Sequence, residues 1–176
     1  MKRHATACVL ASALFLSLVP ASSYAADKLN DAQIAHIAYT AGDIDIKAAE
    51  IALTHAKSAA VKSFAEDMVR DHKAVNDKAL ALVKKLNVTP EDNATSKGLA
   101  EGAETKRAEL EKLSGAAFDR AYVTNEVAFH KTVDDALETT LIPSAQNPEL
   151  KSLLETGLKI FQGHQQHAEQ VAGSLK

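Results

Sequence analysis

The chain has almost nothing with which to cross-link itself. Its 176 residues include one cysteine, Cys8, so no intramolecular disulfide can form. It has no tryptophan, and aromatic residues make up 5% of the chain, which argues against a stacking platform for bases or sugars. Four prolines and seven glycines leave few places where a helix must break, and no glycine-rich phosphate loop can be found. Neither sign of charge dominates: 20 basic residues against 23 acidic ones give a net charge of -3. A phosphate-backbone binder needs a basic face, so nucleic acid is not an expected partner. The one sustained apolar run, from Ala5 to about Val19, is shorter than the roughly 20 residues of a bilayer-spanning helix.

That run has a different use. Lys2 and Arg3 precede it, and Pro20-Ala21-Ser22-Ser23-Tyr24-Ala25 follows it. A charged start, a short apolar stretch and a small-residue end make a secretory signal peptide. Ser23 and Ala25 fit the small-x-small rule, so cleavage is expected after Ala25 and residues 1–25 are read as the signal. Cys8 sits too early in the run to be a lipoprotein cysteine and leaves with it. Residues 26–176 are then a single helical domain of 151 residues, large enough for a real core, with no transmembrane segment. Without Lys2 and Arg3 it carries 18 basic and 23 acidic residues, a net charge of about -5 that suits ordinary solubility. The expected destination is the periplasm.

What the mature chain has in quantity is alanine, spaced as helices require. The first helix is expected from Asp31 to Ala56, with Asn30 and Gln33 as a capping box and a stripe through Ile34, Ile37, Ala38, Ala41, Ile44, Ala48, Ile51 and Ala52. Ser58 is expected to cap a second helix that ends near Leu86. Its stripe is Val61, Phe64, Met68, His72, Val75 and Leu82. The short break between the two makes them antiparallel neighbours. After a loop at 87–93, a weaker pattern predicts a short helix from Thr95 to Lys112, with Leu99, Ala103, Leu110 and Leu113 inward, that caps or crosses the bundle. A fourth helix follows from Ala116 to Leu141, with Phe118, Tyr122, Val123, Val127, His130, Val133 and Leu137 inward. Pro143-Ser144-Ala145-Gln146 reads as a loop. Asn147 and Pro148 start a fifth helix to about Gly173, with Leu150, Leu154, Phe161, His164 and Val171 inward. No segment alternates as a strand would. The fold class is all-α: an antiparallel four-helix bundle with an additional short helix between the second and third long ones.

Three histidines lie on these apolar stripes, His72, His130 and His164, each on a different long helix. Asp45 lies four residues from Ala41 and three from Ala48, so it also faces the core side. At 1.5 Å per residue, Asp45 and His72 come out about 17 and 20 Å from the turn that joins their helices, nearly level. Buried polar groups must be bonded or bound. One carboxylate and three imidazoles could ligate zinc, iron or copper. The same residues could instead form a hydrogen-bonded network, with Asp71, Glu126 and Asp134 as partners, or line a small-molecule site. No helix carries the Glu-x-x-His pair of a di-iron bundle, since Glu126 and His130 are four apart. His36 and His55 fall off the stripe and read as solvated. His167 reads as a bundle-edge residue. No nucleophilic triad can be assembled, and no catalytic residue is assigned.

Several stretches together carry a family resemblance: Ser58-Ala59-Ala60-Val61-Lys62-Ser63-Phe64-Ala65, then Met68-Val69-Arg70-Asp71-His72, then Phe118-Asp119-Arg120-Ala121-Tyr122-Val123, His130, His164 and Ala168. In order and spacing the chain resembles the bacterial family known as domain of unknown function 4142, whose members often carry an outer-membrane label. The likeness runs from about Asp31 to Val171. It implies a ferritin-like helical bundle and no settled activity, and architecture alone does not give function. The chain departs from the family in two places. Asp45 stands where the family usually has glutamate, and Lys159-Ile160-Phe161 stands where it often has a leucine-proline pair. The outer-membrane label finds no strands here to build a barrel.

The reading that follows is an exported periplasmic bundle with an accessory, stress-related and non-catalytic role. Its first alternative is a metal-binding or metal-dependent redox protein of ferritin-like type, holding zinc, iron or copper at Asp45, His72, His130 and His164. Its second is an interaction module for an envelope protein partner or a homo-oligomer. A spare apolar stripe on the short helix or on the outside of the first would favour the second alternative.

Overall fold

The computed structural model describes residues 28–175. The signal segment, Cys8 and the cleavage site lie outside these residues. All regular structure among the described residues is helical. Five helices form an α-bundle: α1 (Asp31–His55), α2 (Ala59–Lys85), α3 (Ala94–Leu110), α4 (Gly115–Ala136) and α5 (Pro148–Ser174). None of the helices among the described residues is long and apolar enough to cross a membrane.

Local chemistry sets most of the ends. Asn30 accepts from the backbone N–H of Gln33 at 2.9 Å while the Gln33 side chain accepts from Asn30 N–H at 3.2 Å, the reciprocal box the sequence predicts. Asn93 does the same for α3, together with Ser96. Asn147 accepts from Glu149 and Leu150 N–H, and Pro148 occupies the first turn where its missing donor costs nothing. Ser58 departs from expectation, since its side chain makes no cap. The carboxylate of Asp119 on α4 accepts instead from Lys57 and Ser58 N–H, both at 2.9 Å. A tertiary contact thereby holds the α1–α2 turn. Asp31 likewise accepts from Gln146 and Asn147 N–H and ties the start of α1 to the α4–α5 connection.

The fourth helix is not the single α-helix its pattern predicts. After Ala136 the chain widens into a π-turn, Leu137–Leu141, and then makes a short helical turn, Ile142–Ser144. The expected loop at 143–146 is therefore shorter than its proline suggested. Pro143 lacks an N–H and crowds the carbonyl four residues back. The wider turn before it relieves that conflict, and both Leu137 and Leu141 remain buried.

α1 packs on α2 and α4, α2 on α5, α5 on α4, and α3 lies mainly along α1. Only Ser96 and Leu110 of α3 are buried, which explains its weak pattern. Gly42 sits mid-helix because α1 and α2 meet there: a Cβ at this position would lie 2.5 Å from Asn76 Oδ1. The apolar core falls into two clusters. One surrounds Phe64, Met68, Phe118 and Tyr122 near the α1–α2 turn. The other surrounds Ile34, Leu137, Leu154 and Phe161 at the opposite end.

Candidate metal centre

Between the two apolar clusters lies a buried polar belt. On α1 Asp45 stands between Ala41 and Ala48, and on α2 His72 follows Met68. On α4 Glu126, His130 and Asp134 stand between Val123 and Leu137, and on α5 His164 stands between Phe161 and Ala168. Each is 6% exposed or less, so the helical period that buries the neighbours also buries these groups. Of the four residues picked from the sequence, the three histidines form one group, while Asp45 groups with Glu126 and His130. His72, His130 and His164 each offer a ligand atom within 4.8 Å of the others, and His72 Nε2 lies 3.5 Å from Asp45 Oδ2. Asp45, Glu126 and His130 make a second group of the same kind. Both clusters are geometrically compatible with a divalent metal ion.

The hydrogen bonds determine which ring nitrogens are free. His130 Nδ1 lies 3.0 Å from the Glu126 carbonyl oxygen. A carbonyl only accepts, so Nδ1 carries the proton and the lone pair sits on Nε2, which is buried and unpaired. His164 Nε2 lies 3.1 Å from Asp71 Oδ2. That carboxylate is itself gripped by Arg70, whose Nε and Nη2 donate at 2.8 and 2.9 Å. Part burial raises the Asp71 carboxyl, but the hydrogen bonds from Arg70 and His164 outweigh it and keep the group below its ordinary range, hence ionised. His164 therefore donates from Nε2, and its lone pair is on Nδ1, again buried and unpaired. A ring held by one nitrogen to a carbonyl or carboxylate, with the other nitrogen turned inward, is how proteins orient histidine ligands. Neither nitrogen of His72 makes a hydrogen bond, though Nε2 faces Asp45; its ring is stacked on Phe161, centroids 4.6 Å apart and planes 8° apart.

Charge follows burial. Desolvation pushes the His72 imidazole well below its ordinary value, helped by His130 and His164. It pushes His130 down to about 4, and it also lowers His164 against the pull of Asp71. All three rings are neutral at pH 7, the form that ligates metal. The carboxyls move the other way. Burial, then the charge of Glu126, raises Asp45 well above its ordinary value. Burial pushes Glu126 up to about 7 and Asp134 up to about 6. Burial also raises the Tyr122 phenol, with Glu126 and Asp45 adding to the shift.

A hydrogen-bonded network would leave few of these atoms idle. Here both Asp134 oxygens and four imidazole nitrogens have no partner, while the Asp45 and Glu126 carboxyl groups share a hydrogen bond with each other. Of the three expected network partners, only Asp71 serves a histidine through its carboxylate. Glu126 serves through its backbone, and its carboxylate belongs to the second cluster, a role the sequence reading missed. The signal was present: Glu126 lies one turn before His130 on the same inner face. Each group of three also passes a test of fit. Two ligands about 2.1 Å from a tetrahedral ion sit about 3.4 Å apart, so atoms within 4.8 Å need move little.

The remaining histidines stay outside the belt. His36 is part-exposed, with Nδ1 3.9 Å from Asp92. His55 is not solvated as expected but half-buried, stacked 5.5 Å from Phe118. His167 sits at the bundle edge, its ring against Phe64. Leu80 on α2 is the exposed large apolar side chain among the described residues.

Neither a curated protein nor a solved structure matches the chain. The profile of a family described as Domain of unknown function (DUF4142) matches residues 17–171, nearly the whole length. The chain belongs to the DUF4142 family.

Proposed function

We propose that this protein binds one divalent transition metal ion through His72, His130 and His164, with Asp45 as the fourth ligand and Glu126 beside it. The observation that carries this is the state of His130 and His164: each has one ring nitrogen donating to an acceptor and the other buried, unprotonated and unpaired. Such an arrangement is costly in an apolar core unless a cation completes it. Three imidazoles and a carboxylate suit zinc, iron or copper. The four helices that supply these side chains, with α3 laid on α1, are read as the four-helix ferritin-like arrangement with one added short helix. The metal-binding reading thus displaces the non-catalytic network as the better account.

Elemental analysis of untagged protein, followed by melting with and without zinc, iron or copper, tests it. One ion per chain is expected, with stabilisation of about 2.7 kcal/mol when free metal is 100-fold above its dissociation constant. His130→Ala and His164→Ala are expected to lose stoichiometric binding. A chain that binds no ion and melts unchanged in all three metals overturns the reading.

We also propose export to the periplasm, on the Lys2-Arg3 start and the Ser23-x-Ala25 end of the first segment. Mass spectrometry of the periplasmic fraction should find a chain beginning at Ala26. An intact Met1 there refutes it.

A further inference from the structure

Beside the polar belt, the second apolar cluster borders a pocket of about 340 Å³ that is partly open to solvent, lined by α1, α2, α4 and α5 and by Thr95 and Leu99 of α3. Apolar atoms that line unfilled space forfeit their dispersion contacts, so an apolar pocket of this size gains by being filled. Three features build this one. Small residues from α1, α2, α4 and α5 line it, among them Ala38, Ala79, Ala136 and Gly157, where a leucine at any one would intrude. The π-turn Leu137–Leu141 forms part of its wall: Leu137 and Leu141 line it from buried positions, and the exposed Thr140 lines it as well. Such turns are rare and recur at functional sites. The innermost wall is Phe161, whose ring also stacks on His72.

No Asp, Glu, Lys, Arg or His lines the cavity. Its polar groups are few and partly occupied: Asn76 Nδ2 donates to the Tyr39 carbonyl at 3.3 Å, and Thr132 Oγ1 to the Ala128 carbonyl at 3.0 Å. A charged ligand would find nothing to replace its hydration. A dry cavity of about 150 Å³ holds benzene, so this one takes about 10–15 non-hydrogen atoms.

We infer that the cavity is a binding site for a neutral, apolar small molecule, seated one aromatic ring away from the histidine cluster. The inference does not depend on the metal reading, because its test uses chelator-treated, metal-free chain. The probe is 2-naphthol, followed by its own fluorescence, with 2-naphthalenesulfonate as the charged counterpart of similar shape. Saturable one-to-one binding of the naphthol is expected, with the sulfonate at least 10-fold weaker. Ala136→Leu and, separately, Gly157→Leu are expected to weaken naphthol binding at least 10-fold while keeping the helical circular dichroism of the parent. Absence of saturable naphthol binding overturns the inference. So does sulfonate binding as tight as naphthol, or naphthol binding undiminished in the filled variants.

Discussion

Near the α1–α2 turn, Phe64, Phe118 and Tyr122 have no exposed surface, and their rings pack 6.1 and 6.0 Å apart across α2 and α4. At the opposite end Ile37, Leu137, Leu150 and Leu154 are almost as buried, yet they border 340 Å³ of open space. The same helices run through both ends, and both are built from apolar residues. They differ in what faces what. Aromatic rings meet alanines of α1 at one end, whereas at the other leucines face alanines and a glycine across a helix widened by its π-turn. Burial from water and close packing are separate properties, and only the second measures dispersion energy. The polar belt lies where the two regimes meet, with Phe161 as the shared boundary.

Two substitutions test this contrast most strongly. Phe64→Ala removes a ring from the filled end and is expected to cost about 3–5 kcal/mol. Leu154→Ala removes a side chain that already faces open space on one side and is expected to cost about 2 kcal/mol, the low end for such changes. Urea unfolding of both variants reads the difference; equal losses would erase the distinction between the ends.

A smaller effect sharpens the contrast between the belt and its surroundings. The Glu126 carboxyl is pushed up to about 7 in the fold, against an ordinary value of 4.5. The folded chain therefore holds this proton more tightly than the unfolded one. The cost of burying the charge is absent below the ordinary value, grows as pH rises, and is complete above the raised one. Metal-free Glu126→Gln is expected to be more stable than the parent by about 1–3 kcal/mol near pH 8, with the difference vanishing near pH 4. Urea melts at the two pH values check it. A variant less stable than the parent at the higher pH would show that the hydrogen bond with Asp45 outweighs the burial of the Glu126 charge.

The belt was partly visible in the residues. Asp45, His72, His130 and His164 stand on apolar stripes, and helical rise alone puts Asp45 and His72 level. Glu126 was harder to place. A glutamate one turn from a histidine is as well suited to a hydrogen bond as to a metal, and only the free direction of the His130 ring separates the two. The same holds for the acid response of the site. Ordinary histidine values predict loss of metal affinity below about pH 6.5. Burial of His72 and His130 moves that loss lower. The end of the fourth helix was misread because a proline usually marks a break, and nothing in a linear pattern announces a π-turn that accommodates it.

Taken by itself, the sequence determined the local matters: five helices, the Asn30, Asn147 and Pro148 starts, the inward faces, and the presence of polar groups on them. Those depend on residues within a turn or two of one another, where spacing and hydrogen-bond chemistry suffice. Tertiary structure alone decided the rest: that Asp119 rather than Ser58 holds the α1–α2 turn, that Glu126 joins Asp45, that His164 is oriented by Asp71, and that a cavity opens behind Phe161. Each of these depends on the separation and rotation of helices distant in the chain, and periodicity specifies which face turns inward but not what it meets.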